Sequence, residues 1–233
     1  MKNLITTAIV FVILSGTTAL IAQSVSDLPS NSSPFNFTGP SVMAYDGRYE
    51  GVRGTNTFFE EFKPGTIELK KGKFSDVSIN YDAYSDNLLA KNEKIKDIVQ
   101  MRKDMVQNFV LKDATGQEFT FTKESLNGSP TFLLNLVRDS ISLYCRVSKT
   151  IKKAEIGGAY RIDQSKSDEF VTVNTYYVNK GDGQFQELAK SKKGILKVFP
   201  EYDDQLSTYW KKNKVDFDSY DQMKQLISHI NSL

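Results

Sequence analysis

The chain has 233 residues, 39% of them hydrophobic and 12% aromatic, with 15 Phe and 11 Tyr, so it can bury a sizeable core. Its formal net charge is +2, with both signs mixed along the chain, which argues against a dedicated polyanion binder; no nucleic-acid partner is expected. Cys145 stands alone, which excludes an intramolecular disulfide, and one His beside one Cys leaves no cluster for structural zinc.

The start of the chain is its most informative stretch. Lys2 and Asn3 precede an uncharged apolar run from Leu4 to Leu14. Small residues follow at Ser15, Gly16, Thr17, Thr18 and Ala19, and Leu20-Ile21-Ala22-Gln23 closes the segment. A basic n-region, an apolar h-region and a small-residue exit predict a signal peptide over residues 1–22, cut after Ala22. The competing reading is an uncleaved anchor, but the apolar run is shorter than the roughly 20 residues that a spanning helix needs. No Cys stands near the cut, so the lipoprotein route is closed. No later stretch is apolar enough to span a bilayer, so no transmembrane span is expected after cleavage. The expected location is the periplasm or the cell surface and extracellular space.

Residues 23–44 are rich in Ser, Pro and Asn without a period, and predict a flexible leader. Residues 45–183 predict an antiparallel β body. Ile67 and Leu69 alternate with Glu68 and Lys70, and Lys71-Gly72-Lys73 makes a tight turn. Val77, Ile79 and Tyr81 alternate with Ser78, Asn80 and Asp82, and Ser85-Asp86-Asn87 ends the run. Residues 95–106 fit a strand and a short helix equally. Phe109 and Leu111 lead into Asp113-Ala114-Thr115-Gly116, after which Phe119 and Phe121 alternate with Thr120 and Thr122. Phe132, Leu134 and Leu136 share one face, as do Ile141, Leu143, Cys145 and Val147. Val171, Val173, Thr175 and Tyr177 make the last clear strand.

From Gln184 the period changes, and residues 184–233 predict a helical segment packed on the β body. Leu188, Ile195, Leu196 and Phe199 form one face, ended by Pro200. Asp203 and Asp204 suit a helix start, Leu206, Tyr209 and Trp210 form its apolar side, and Lys211, Lys212 and Lys214 sit at its end. Asp218 or Ser219 caps a final helix whose face is Met223, Leu226, Ile227 and Ile230. The predicted class is α+β: an antiparallel β meander, as a curved sheet or partial barrel, followed by two or three short C-terminal helices.

Several segments together resemble a family of uncharacterised signal-peptide-bearing envelope or secreted proteins of gliding, polysaccharide-degrading Gram-negative bacteria. The residues that carry the resemblance are Gly65 to Leu69, Val77 to Asp86, Asn174 to Val178, Lys190 to Phe199, Lys212 to Val215 and Gln225 to Asn231. The likeness spans most of residues 60–233, and its motifs are structural. It implies an envelope or surface location and brings no established activity with it.

Few constellations point to chemistry. His229 reads as an exposed or half-packed helix residue rather than a catalytic base. Cys145 shares the buried face of its strand and reads as a small hydrophobe. Asp182, between Gly181 and Gly183, reads as a turn rather than a calcium loop, as do Asp82 and Asp86. Glu60-Glu61 and Asp203-Asp204 are adjacent pairs whose side chains diverge, so neither forms a dyad by itself. Gly47, Gly51 and Gly54 match no phosphate-binding pattern. No cofactor and no metal are expected. The best surface candidate is Tyr209, Trp210, Lys211, Lys212 and Lys214, an aromatic-basic stretch suited to acidic glycans, lipid headgroups or an acidic protein. Tyr81, Tyr84, Tyr176 and Tyr177 serve either as a sugar-stacking platform or as core.

These observations favour a non-enzymatic exported envelope protein acting as a binding or scaffolding module for an envelope protein or glycan. The alternatives are a carboxylate-dependent hydrolase of cell-wall or glycan substrates, and a carrier of lipid or small apolar ligands.

Overall fold

A computed structural model describes residues 30–31, 41–45, 47, 49, 51–92, 97–154 and 167–233. The signal-peptide expectation over residues 1–22 and most of the leader lie outside these residues. The strands in chain order are β1 (Ser30–Asn31), β2 (Val42–Ala44), β3 (Lys63–Leu69), β4 (Gly72–Asp82), β5 (Asn87–Asn92), β6 (Asp97–Met101), β7 (Val106–Lys112), β8 (Glu118–Leu126), β9 (Ser129–Val137), β10 (Ser142–Lys152), β11 (Glu169–Asn179) and β12 (Gln186–Leu188). Three helices follow: α1 (Lys192–Val198), α2 (Asp203–Lys212), entered through a 3-10 turn at Pro200–Tyr202, and α3 (Tyr220–Asn231).

The strands join one open sheet in the order β12-β11-β10-β9-β8-β7-β3-β4-β5-β6-β2, with β1 parallel against the first half of β4. The fold is α+β, a mostly antiparallel meander with three short helices at its end. The chain winds outward from β3 to β6, then returns to the far side of β3 with β7 and winds outward again to β12. Residues 97–101, ambiguous in sequence, form an edge-side strand paired with β5 and β2. Three strands lie where none was expected, the first being Ser30–Asn31, which pairs with β4 from within the segment read as leader. Val42–Ala44 pairs with β6 inside the segment read as leader. Gln186–Leu188 pairs with β11 inside the segment read as helical, because Leu188 drops opposite Tyr176 and both are buried. The helix begins only where the Ser191 hydroxyl accepts the Gly194 N–H at 3.0 Å.

Local chemistry sets the turns. Asn127-Gly128 joins β8 to β9 with φ of 52° and 79°, the two left-handed residues that a two-residue hairpin turn requires. Gly65 lies where β3 shifts register against β4, and a Cβ there would collide with the Val110 carbonyl oxygen of β7.

The sheet is strongly curled. Five inter-strand steps separate β4 from β10, about 24 Å if the sheet were flat. Yet the Lys149 N–H of β10 donates to the Ala83 carbonyl just past β4 at 3.0 Å, and the Tyr81 hydroxyl lies 3.4 Å from the Val147 carbonyl. Inside the curl, Tyr81, Phe109, Phe121 and Phe132 fill the space, with Phe109 stacked on Phe121 at 4.8 Å. Residues 53–59 cross the seam. Arg53 exchanges backbone hydrogen bonds with Asp168 and Phe170 at the start of β11, and Phe58 donates to Tyr81 at 2.7 Å. Asn80 holds this segment with its side chain, donating to the Phe59 carbonyl at 2.9 Å and accepting the Phe59 N–H at 3.2 Å. That crossing explains why the last four residues of β4 are all buried although strand side chains alternate in direction.

The helices extend the same core. Met223, Leu226, Ile227 and Ile230 of α3 join Leu134, Leu143 and Cys145 beneath them. The Ser219 hydroxyl caps α3, accepting the Gln222 N–H at 3.4 Å. At the other end, Asn231 behaves like a length of strand: its amide donates to the Ile141 carbonyl at 2.9 Å while its oxygen accepts the Ile141 N–H and the Ser140 hydroxyl, each at 2.8 Å. Lys180, from the β11–β12 turn, donates to the Val198 carbonyl at the end of α1 at 2.8 Å, with its ammonium over the Phe199 ring. Among the described residues no helix is long and apolar enough to cross a membrane.

Candidate functional site

An open groove lies between α2 and the C-terminal end of α3. Its volume is about 420 Å³, and it is lined by Asp204, Gln205, Thr208, Tyr209, Lys212, Asn213, His229 and Leu233. Its lining follows from helix geometry. Asp204, Thr208 and Lys212 form one i, i+4, i+8 row of α2, and Gln205, Tyr209 and Asn213 form the next. From Asp204 to Lys212 the wall runs about 12 Å along the helix. Opposite, His229 reaches across from the last turn of α3.

Tyr209 and His229 stand together in the groove, stacked with centroids 4.7 Å apart and 20° between ring planes. Both are half-buried, and Tyr209 packs against the hydrophobic core. Asn213 folds back to donate to the Tyr209 carbonyl at 3.0 Å and closes α2 just below that ring. The rim is polar and available. Among the described residues the Lys212 ammonium, the Asp204 carboxylate, the Gln205 amide and the His229 ring nitrogens carry no hydrogen bond or ion pair. The negative charge sits at the N-terminal end of α2 and the positive charge at its C-terminal end, each where the helix dipole favours it.

The structure divides the aromatic-basic stretch. Tyr209 and Lys212 enter the groove, whereas Trp210, about 100° further round the helix, does not. Its ring packs against the core, its buried indole N–H has no partner among the described residues, and the Lys192 ammonium of α1 lies 5.7 Å from its centroid. Lys211 and Lys214 are exposed outside the groove. The tyrosines expected as platform or core divide likewise. Tyr81, Tyr176 and Tyr177 are buried, and Tyr84 is 43% exposed, with its ring edge on Tyr49 and Phe170.

Other acidic residues are held by structure. Asp82 is fully buried and accepts the Tyr84 and Ser85 N–H groups and the Tyr45 hydroxyl. Burial and that interaction push the Tyr45 phenol up to about 12. Asp86 gathers the Tyr81 hydroxyl at 2.8 Å, the Lys103 ammonium at 2.8 Å and the Phe132 N–H at 3.3 Å. Asp182 accepts the Gln184 N–H at 2.9 Å in a turn between two left-handed glycines. Glu60 and Glu61 are exposed, and Glu61 pairs with Lys63 at 3.1 Å. Asp203 accepts the Ser207 hydroxyl, so of the Asp203-Asp204 pair only Asp204 lines the groove. Among the described residues no three His, Cys, Asp or Glu side chains converge as a metal-ligand set.

Cys145 is fully buried, and desolvation pushes its thiol up to about 12, which leaves it without thiolate character near neutrality. The Tyr220 hydroxyl, near enough to influence the thiol, donates to Asn174 at 3.1 Å. Beside them the Tyr176 hydroxyl is buried with no partner among the described residues. Burial raises both phenols well above the ordinary value.

Sequence reasoning alone missed His229, Asp204, Gln205 and Thr208 as members of one site. The two i, i+4, i+8 rows were readable. The approach of the end of α3 to them was not, because it depends on how both helices dock. Comparison with protein-family models, with curated proteins and with solved structures finds no match to this chain.

Proposed function

We propose that this chain is a non-enzymatic exported envelope protein that works as a binding or scaffolding module, and that the α2–α3 groove is the face it offers. The observation that carries this reading is the groove itself: a stacked Tyr209–His229 pair, with Tyr209 packed against the core and unengaged ammonium, carboxylate and amide groups among the other lining residues. Side chains held in place but left without internal partners are prepared for an external one. The signal-peptide pattern and the resemblance to envelope proteins support the location. The hydrolase alternative needs two converging side-chain carboxylates, and among the groove's side chains there is one, Asp204. The carrier alternative needs an interior cavity, and the curl is filled by Tyr81, Phe109, Phe121 and Phe132.

The test is co-sedimentation of the purified protein with isolated envelope fractions, beside a Tyr209→Ala/Lys212→Ala double variant. Lys212 is exposed and Tyr209 half-buried, so the variant is expected to stay folded, with its melting temperature lowered by about 4 °C at most, and to lose sedimentation. Equal sedimentation of the two proteins overturns the assignment of the groove. Full-length precursor recovered intact and soluble from the cytosol overturns export. Glycan turnover abolished by Asp204→Asn replaces the module with a hydrolase.

A further inference from the structure

We propose that the groove binds a saccharide chain, a neutral sugar seated at the Asp204 end and a carboxylate-bearing sugar at the Lys212 end. The inference rests on the reading of the groove as the binding face and names the ligand class.

Three observations select this chemistry. First, an aromatic pair, Tyr209 stacked on His229, stands in the groove with charged and amide side chains among the other lining residues. A pyranose ring matches that arrangement, with an apolar C–H face to lay on a ring and hydroxyls pointing outward around the rim. Second, the middle of the wall, Thr208, Tyr209 and Lys212, lies inside α2, where main-chain N–H groups are paired within the helix. A peptide that binds as an added strand needs free main-chain donors and acceptors, and a docked helix needs a row of apolar pockets. Here the unengaged groups are side chains of mixed kind: Gln205 donates and accepts, Asp204 accepts from a hydroxyl, and the imidazole nitrogens of His229 serve either way. Third, the charge is polar along the groove. Asp204 and Lys212 stand two helical turns apart, about 12 Å. An evenly acidic chain would set one carboxylate against Asp204. A chain acidic at one end places its carboxylate on Lys212 and its hydroxyls on Asp204, which also fixes its direction.

The test is a titration followed by heteronuclear NMR and calorimetry, with three probes: cellobiouronic acid, cellobiose and the peptide glycyl-glycyl-glutamate. Cellobiouronic acid is expected to bind most tightly and to shift the resonances of Tyr209, Lys212 and His229, with cellobiose about two- to fivefold weaker for want of the ion pair. Lys212→Ala should remove that difference, Tyr209→Ala should weaken both sugars about tenfold, and Tyr209→Phe should restore them. A peptide that binds as well as the acidic disaccharide overturns the ligand class, as does the absence of sugar binding. If sugars fail while envelope sedimentation still depends on Tyr209 and Lys212, the ligand class falls and the binding face stands. If the groove variants alter neither, both fall together.

Discussion

At its N-terminal end, α3 brings Tyr220 into a buried seam with Cys145 and Tyr176; at its C-terminal end it sets His229 against Tyr209 on the wall of an open groove. The residue types are alike: phenols, a titratable partner, aromatic faces. In the seam, desolvation suppresses ionisation, and the polar atoms turn to each other or, among the described residues, go without a partner. In the groove the same kinds of atoms keep access to water and remain uncommitted. The apolar stripe of a single 12-residue helix supports both, the seam as packing and the groove as presentation.

The comparison can be broken most forcefully by removing what both ends share. Ile227 lies fully buried midway along α3, and Ile227→Ala is expected to cost about 2–5 kcal/mol in chemical denaturation. It should also weaken ligand binding in the groove, since the end of α3 is no longer held. A loss below about 1 kcal/mol would mean that the helix does not depend on its stripe. Asn231→Ala attacks the groove end alone. It deletes three hydrogen bonds to Ser140 and Ile141 and leaves the Ile141 backbone groups short of partners, at about 1–3 kcal/mol. Hydrogen exchange is expected to accelerate at Ile141 and the last turn of α3, with little change around Tyr220.

Alkaline pH attacks the seam, together with the Tyr45 and Tyr81 phenols, which burial also raises. The folded chain holds the Cys145, Tyr176 and Tyr220 protons more tightly than the unfolded chain does. Their contribution is therefore complete below the unfolded thiol value of 9.0 and is lost as pH rises toward about 12. The denaturation midpoint should fall through that window, and Tyr176→Phe should flatten the fall. A midpoint independent of pH would show that the seam is open to water. The smallest effect belongs to the groove's aromatic pair: Tyr209→Ala should change stability by about 1 kcal/mol or less, because its ring is half exposed and its stacking partner remains solvated.

Much of the sheet was legible because period-2 alternation survives burial on one face. Leu143, Cys145 and Val147 read as one face and are one. The last strand was not legible, since a three-residue strand carries a single buried side chain, Leu188, which fits a helical stripe equally well. A sharper signal was overlooked at Asn127-Gly128, whose sequence alone specifies the two-residue hairpin. The pairing of Tyr209 with Lys212 was legible as composition, and the exclusion of Trp210 was legible as helical phase. Asp86 shows the limit: the sequence marks a turn there, while its three partners arrive from positions 81, 103 and 132. Convergence from that distance leaves no local trace.

The Lys149–Ala83 hydrogen bond and its neighbour, Tyr81 to Val147, connect positions 66 residues apart. Bringing such distant positions together costs chain entropy before any contact repays it, so sealing the seam is expected to be a late step, on the millisecond-to-second scale of non-local β topologies. A newly made chain would spend that interval threadable, without a finished tertiary structure, and a translocation machinery that accepts only unfolded polypeptide could take it up before the curl shuts.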